Sequence, residues 1–259
     1  MSSRELGLIL AQQLLDVEDL HYGLWDSDLD LTLGNLAIAQ QRYSDLLLDT
    51  AAGLLAHLPR PRILDVGCGT GHLAAQMLSR GWEVTAVSPT RSLADLARQR
   101  LADFPDSQAR LLEDRFEDLE SHRLGKFDLM LFSESFQYIP LPALFDKLPE
   151  LLSPGSCVLR SDFFKTAVHG DGEPGDRCLG GGHGLAAFYD CLAQSPFELL
   201  RDDDITARVS PTIELLDVWL VFRLALAAGS LDDFLLVYYE RLTGLLKLML
   251  RHRLARLRY

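Results

Sequence analysis

Residues 62–74 read RILDVGCGTGHLA. A short apolar run of strand character, Arg62–Val66, breaks into a bend with glycine at alternate positions, Gly67, Gly69 and Gly71, and helical spacing follows. Glycine tolerates positive φ and has no Cβ, so such a bend turns sharply and lets a ligand approach main-chain N–H groups. Read from Gly67, the first glycine after the strand, the dinucleotide fingerprint G-x-G-x-x-G/A fails because His72 occupies its last position. The phosphate-cradling loop that ends in Gly, Lys and Ser or Thr is also absent. What remains is D-x-G-x-G-x-G, with Asp65 leading the three glycines.

Outward from this stretch, short apolar runs alternate with helical patterns. EVTAV (83–87), ARLLE (109–113), KFDLMLFSES (126–135) and SCVLRSDFF (156–164) read as further strands. GHLAAQMLSRG (71–81, with Gly81 as its stop), SPTRSLADLARQRLADF (88–104) and LPALFDKLPELL (141–152) read as the intervening helices, and residues 153–155, SPG, as a turn. Strand–helix alternation predicts right-handed crossovers and an α/β fold with a doubly wound, mostly parallel sheet. Ligands of such sheets sit beyond the carboxyl ends of the strands. That rule places residues 67–71, Ser88, Asp114 and residues 133–138 along one rim.

The flanks differ. Residues 3–20 and 35–58 read as amphipathic helices around HYGLWDSDLDLT (21–32), so residues 1–58 are expected to form a helical lid. The core is expected over 59–205, with a glycine-rich loop or lid inserted at 165–184, a helix at LAAFYDCLAQ (185–194) and a sixth strand at FELLRDDDIT (197–206). Residues 206–259 are expected to be a helical extension. FLLVYY (234–239) is the one strand-like run there, in helical surroundings.

The chain has 259 residues, 48% apolar and 24% charged, ordinary for a globular protein with a sizeable core. A net charge of −12 argues against general nucleic-acid binding, which wants a basic face. The exception is the stretch from Arg241 onward, with six basic residues and no acid. Its end, KLMLRHRLARLRY, reads as a solvated helix with Leu246, Leu250, Leu254 and Leu257 as the buried stripe, or as a helix that docks on an anionic surface. The opening residues lack the pattern of a secretory leader, and no run reaches the roughly 18 apolar residues of a membrane span, so a cytoplasmic protein is expected. Cys68, Cys157, Cys178 and Cys191 form no C-x-x-C pair and read as free thiols. The spacing of Cys178, His183 and Cys191 fits no standard zinc site, and no metal is expected.

The motif ILDVGCGTGHLA, the spacing to the second strand, the acid after the third strand in LLEDRFEDL and the rim after the fourth together resemble the class I S-adenosylmethionine-dependent methyltransferases, from about residue 20 to residue 164. The resemblance implies S-adenosylmethionine as cofactor and S-adenosylhomocysteine as product. It puts Gly67, Cys68, Gly69 and Gly71 against the methionine portion, with Asp65 attracting the amino group. It puts Asp114 on the adenine amino group, with Arg115 or Phe116 beside the ring. Ser88, followed by Pro89, stands where the family usually carries an acid for the ribose hydroxyls. Cyclopropane fatty acid synthases look similar at that position, but their FEH after the fourth strand is here Phe136, Gln137 and Tyr138, without the glutamate that helps hold their bicarbonate.

Methyl transfer is an in-line displacement from an already activated sulfonium, so alignment and exclusion of water do most of the work. A base is needed only where the acceptor loses a proton. Glu134 is the candidate base or orienting carboxylate. Ser133, Gln137 and Tyr138 are expected at the methionine end or acceptor pocket, with Tyr138 also a catalytic candidate. His183 is expected in a loop that closes over the site, and His21 and Tyr22 in a lid over the cofactor, with Trp25 packing there or in the core. The expected activity is methylation of a small-molecule metabolite. A lipid or polyketide-like acceptor, and a binding subunit without catalysis, stand as alternatives. With no clear last strand, an open sheet edge suggests a homodimer.

Overall fold

The computed structural model describes residues 21–165, 182–215 and 250–259. The first expected helix (3–20), most of the glycine-rich loop, Cys178 and FLLVYY lie outside the described residues. Helix α1 (Leu36–Leu55) precedes β1 (Arg62–Val66), α2 (His72–Ser79), β2 (Glu83–Val87), α3 (Arg91–Leu101) and β3 (Ala109–Leu112). Then come α4 (Ser121–Leu124), β4 (Phe127–Ser133), α5 (Leu141–Leu151), β5 (Leu152–Lys165), β6 (His183–Gly184), α6 (Leu185–Ala193), β7 (Glu198–Asp204), α7 (Thr206–Val209) and β8 (Leu250–Arg258).

The strands order as β3-β2-β1-β4-β5-β8-β7, with β6 pairing on β5. The first five of these are parallel to one another, in register Asp65↔Ala86 and Asp65↔Leu131 around the centre. The order reverses between β1 and β4, which opens a crevice above their carboxyl ends. Side chains alternate between two buried layers. Ile63, Leu129, Leu131 and Leu159 pack beneath Tyr43, Leu47 and Ala51 of α1 and Leu73 and Met77 of α2. Leu64, Met130, Phe132 and Val158 pack against Leu144 and Leu148 of α5 and Phe188 of α6. The apolar run Leu129–Phe132 of β4, buried at every position, is what a sheet covered on both faces requires. The expected SPG turn lies inside β5, where the register slips between Leu152↔Phe127 and Cys157↔Leu129 and Gly155 takes φ +87°.

The largest correction concerns the chain's end. Residues 250–258 are not a helix face but strand β8, antiparallel to both β5 and β7. Leucine spacing suggested a helical stripe, yet the burial that matters has a period of two: Ala255 and Leu257 are fully buried, while Arg258 is exposed. Two of the basic residues have local partners. Arg258 pairs with Glu198, and Arg256 lies 3.5 Å from Asp203, both on the neighbouring acidic strand β7. This cross-strand complementarity accounts for those charges without an anionic surface. It also closes the edge of β5, so the open edge that suggested a homodimer is filled; among the described residues the outer strands are β3 and β7. No helix among the described residues is long and apolar enough to cross a membrane.

Leu257→Ala should therefore lower unfolding free energy by about 2–5 kcal/mol in urea titration, the cost of a buried leucine rather than of one on a solvated helix.

Candidate functional site

The bend after β1 is shaped by its neighbours. The amides of Gly67 and Cys68 both donate to the Val87 carbonyl at the end of β2, at 2.9 and 3.0 Å. Gly67 takes φ +77°, and a Cβ there would lie 2.4 Å from the Ser135 Cβ. Gly69 also has positive φ, +57°, but no protein atom lies within 4 Å of its missing Cβ. The Gly69 bend therefore faces open space, whereas Gly67 and Gly71 are glycine because protein crowds them.

That open space is a cavity of about 370 Å³ whose lining includes His21, Asp65, Gly67, Cys68, Gly69, Ser88, Pro89, Ser133, Glu134 and Tyr138, all expected site residues. Thr70, Leu73, Thr90, Leu93 and Ser135 join them. Thr70 and Ser135 sit inside the quoted motifs, so their neighbours signalled them; Leu73 and Leu93 read as ordinary helix core. A second cavity of about 300 Å³ is lined by Arg115, Phe116, Glu117 and Ile139, and shares Gly67, Pro89, Ser135 and Tyr138 with the first.

Asp65 is 1% exposed, and its Oδ2 has no hydrogen-bond partner among the described residues. Burial alone pushes its carboxyl up to about 7. Burial also drives the Cys68 thiol upward, so it is no nucleophile. Ser88 is buried at the end of β2, where its Oγ accepts the Thr90 amide at 3.4 Å. Glu134 follows β4 with φ +54°, a left-handed conformation rare for a side chain of its size and often found at functional sites. Its amide donates to the Ser161 carbonyl at 2.8 Å, which holds the turn against β5. Its Oε1 accepts the Tyr22 amide at 3.0 Å. Burial pushes the carboxyl up to about 8; His21 and the Tyr22 amide pull it down, and Asp162 pushes it further up.

Residues 21–26 form a strap beside the cavity. The Gly23 amide and Trp25 Nε1 both donate to the Thr212 hydroxyl, at 3.0 and 2.8 Å, and Arg208 holds Asp26 at 2.7 and 2.9 Å. The carbonyl of His21 accepts from Gln40 at 2.7 Å. Trp25 is buried against Leu36 and Ala39, in a small core of its own. Thr212, 189 positions from Gly23, carried no sequence signal.

Other expectations move. Asp114 is exposed, accepts the Arg115 amide and does not line either cavity; Glu117 is the acid at the second one. Gln137 is held with its amide on Asp162 Oδ2 at 3.0 Å and is absent from both linings. Tyr22 contributes its amide, while its ring packs edge-on to Phe163. His183 sits in β6 with Nε2 3.1 Å from the Phe136 carbonyl and its ring edge-on to Phe136, outside the lining of either cavity. Burial lowers its pKa, favouring the neutral ring. A histidine among glycines looked mobile in sequence; pairing with β5 fixes it.

Residues 64–158 match the family of methyltransferase domains. The ubiquinone biosynthesis O-methyltransferase of Xanthomonas campestris pv. campestris (strain B100) is 33% identical over 120 residues, covering 46% of this chain and 49% of that one. Its counterpart in Alkalilimnicola ehrlichii is 32% identical over 117 residues, covering 45% and 47%. The chain thus spans about half the length of the curated relatives it matches. Among solved structures, the cyclase SpnF aligns with TM-score 0.73 at 17% identity, over 99% of this chain and 96% of that one. The geranyl diphosphate C-methyltransferase of Streptomyces coelicolor A3(2), solved with S-adenosyl-L-homocysteine, aligns at 0.68 and 17%, over 96% and 91%. The cyclopropane synthase MmaA2 of Mycobacterium tuberculosis aligns at 0.70 and 18%, over 93% and 90%. These likenesses establish a class I methyltransferase fold.

Asp65 ionises near 3.8 once unfolded and near 7 in the fold, so its contribution to stability falls as pH rises between those values. Asp65→Asn should stabilise the protein at pH 8 by on the order of 2–4 kcal/mol relative to the parent, with the gain vanishing near pH 4, in parallel urea titrations.

Proposed function

We propose that the chain is an S-adenosylmethionine-dependent methyltransferase acting on a small-molecule acceptor. The observation that carries this reading is the buried Asp65 oxygen without a partner among the described residues, beside a glycine bend open to the cavity. A buried carboxyl left unpaired is costly unless a ligand completes it, and an ammonium group is its natural complement.

When bound, the donor supplies a methyl group on a positively charged sulfur. The chain's own residues do the rest. Asp65 takes the amino group and the amides around Gly69 the methionine portion. Ser88 offers one hydroxyl to the ribose where the family usually places a charge, a weaker bond. Phe116 and Glu117 bound the adenine end, in the place expected of Asp114. The strap from His21 excludes water on one side, and Tyr138, 52% exposed, stands at the mouth where an acceptor enters. Positioning of this kind is worth roughly 7–11 kcal/mol. Glu134 accepts the acceptor's proton or orients its polar group, a contribution of about 10²- to 10⁴-fold.

A lipid or polyketide-like acceptor is the second reading. Leu73, Pro89, Leu93 and Tyr138 give the first cavity an apolar wall, and two structures of like fold are named for isoprenoid and cyclopropane chemistry. SpnF, named a cyclase, argues for keeping transfer and binding as separate questions.

Calorimetry with S-adenosylmethionine and S-adenosylhomocysteine should give saturable heats. Gly69→Ala should weaken both at least about tenfold while costing only roughly 1–2 kcal/mol of stability, because the new methyl meets ligand space rather than protein. Incubation with methyl-labelled donor and a metabolite extract should put label into small molecules; label in the organic-soluble fraction favours the lipid acceptor, and none favours a binding subunit.

A further inference from the structure

Glu134 is the polar group that links the cavity wall, the strap and the centre of the sheet. The groups facing it are His21 and Tyr22 from the strap, Tyr43 from α1 and Asp162 from β5, while Tyr138, from the turn that follows β4, faces Tyr22 and lines the same cavity. Asp162 is itself fully buried, its two oxygens accepting the amides of Gln137 and Phe163. Asp65 lines the same cavity from β1. The described lining contains two carboxyls, one histidine and no Lys or Arg. His21 is committed, with Nδ1 2.8 Å from the Tyr22 carbonyl and Nε2 3.1 Å from the Ser44 hydroxyl. The cavity thus offers two carboxyls to a cationic ligand, with no Lys or Arg in its described lining, and burial raises those carboxyls to about 7 for Asp65 and about 8 for Glu134, so Glu134 is mostly protonated at pH 7 until that ligand arrives.

We propose that Glu134 gives its proton to solvent when the positively charged donor enters, takes up the acceptor's proton during transfer, and is neutral again when the uncharged-sulfur product leaves. This rests on the methyltransferase reading above and deepens it. The balance closes. Entry of the sulfonium makes Glu134 a carboxylate and puts one proton into solvent. During transfer the acceptor's heteroatom forms the bond to the methyl carbon, the carbon–sulfur bond breaks with its electron pair kept by sulfur, and the acceptor's O–H or N–H proton moves to Glu134. The net proton of methyl transfer is therefore released at donor binding, and the base exists only while the donor is present. The substrate class follows: an acceptor with an ionisable hydroxyl or amine rather than an unactivated carbon. Asp65 ionises with donor and product alike, because both carry the amino group.

The test is proton release measured by titration calorimetry in two buffers of different ionisation enthalpy, with S-adenosylmethionine and with S-adenosylhomocysteine. At pH 7 the methyl donor should release about one proton more than the product, because a carboxyl near 8 is still mostly protonated in the free protein. In Glu134→Gln the difference should vanish while the release common to both ligands, from Asp65, persists. In the parent protein it should also fade as pH rises past about 9, a check that needs no variant. Equal proton counts at pH 7, or a difference that survives Glu134→Gln or stays constant to high pH, overturns the proposal while leaving the donor reading intact. No heat with either ligand overturns both.

Discussion

Two main-chain hydrogen bonds, from the amides of Gly67 and Cys68 to the carbonyl of Val87, decide where the cleft lies. They fold the chain leaving β1 across the end of β2, so the bend cannot relax outward. The bend then meets Ser135, which follows β4 and donates from its hydroxyl to the Val66 carbonyl. Three neighbouring strand ends are thereby locked around one point, the place where the strand order reverses. Gly67 must be glycine because Ser135 leaves no room for a Cβ; Gly69 is glycine on the open side, where the space belongs to a ligand.

The same geometry sets the electrostatics. Asp65 is carried into the interior by its place in β1, and Glu134 is brought to the cavity wall by a turn held to β5. Neither carboxyl meets a lysine or arginine among the described residues, and burial raises both. In a protein selected only for stability such groups would be paired or replaced. Here the charge they lack is the charge a sulfonium-bearing amino acid would bring. Function and instability share one cause, the removal of carboxyls from water without a Lys or Arg partner among the described residues.

The strap and the closing strand show how distant segments complete the fold. Thr212 accepts from Gly23 and Trp25 and thereby anchors the segment that carries His21 and Tyr22. Strand β8 returns from the far end of the sequence to fill the gap between β5 and β7, and its arginines meet the acids of β7. The acidic run RDDD and the basic run RLARLR were both visible as patterns of charge. Only their pairing in one sheet explains why both exist.

By itself the sequence determined the parallel half of the sheet, the glycine bend and most of the cavity wall. Residues 62–66 and 83–87 were legible as strands to the residue, because short runs rich in Val, Ile and Leu suit a sheet covered on both faces, and glycines mark the sharp exit of the first. Asp65, Ser88, Glu134 and Tyr138 were legible because the topology of such a sheet sends every strand's carboxyl end to one rim. Tertiary structure alone decided the rest. Leucines at 250, 254 and 257 satisfy a helical period in isolation, but two flanking strands with unmet hydrogen bonds make the segment extended. Asp114 and Glu117 are three residues apart on one loop, and which of them reaches the cleft depends on how the Phe116–Asp118 turn packs against the sheet. His183 looked free until β5 paired with it. In each case the deciding interaction joins residues far apart in the chain, and local spacing holds no record of it.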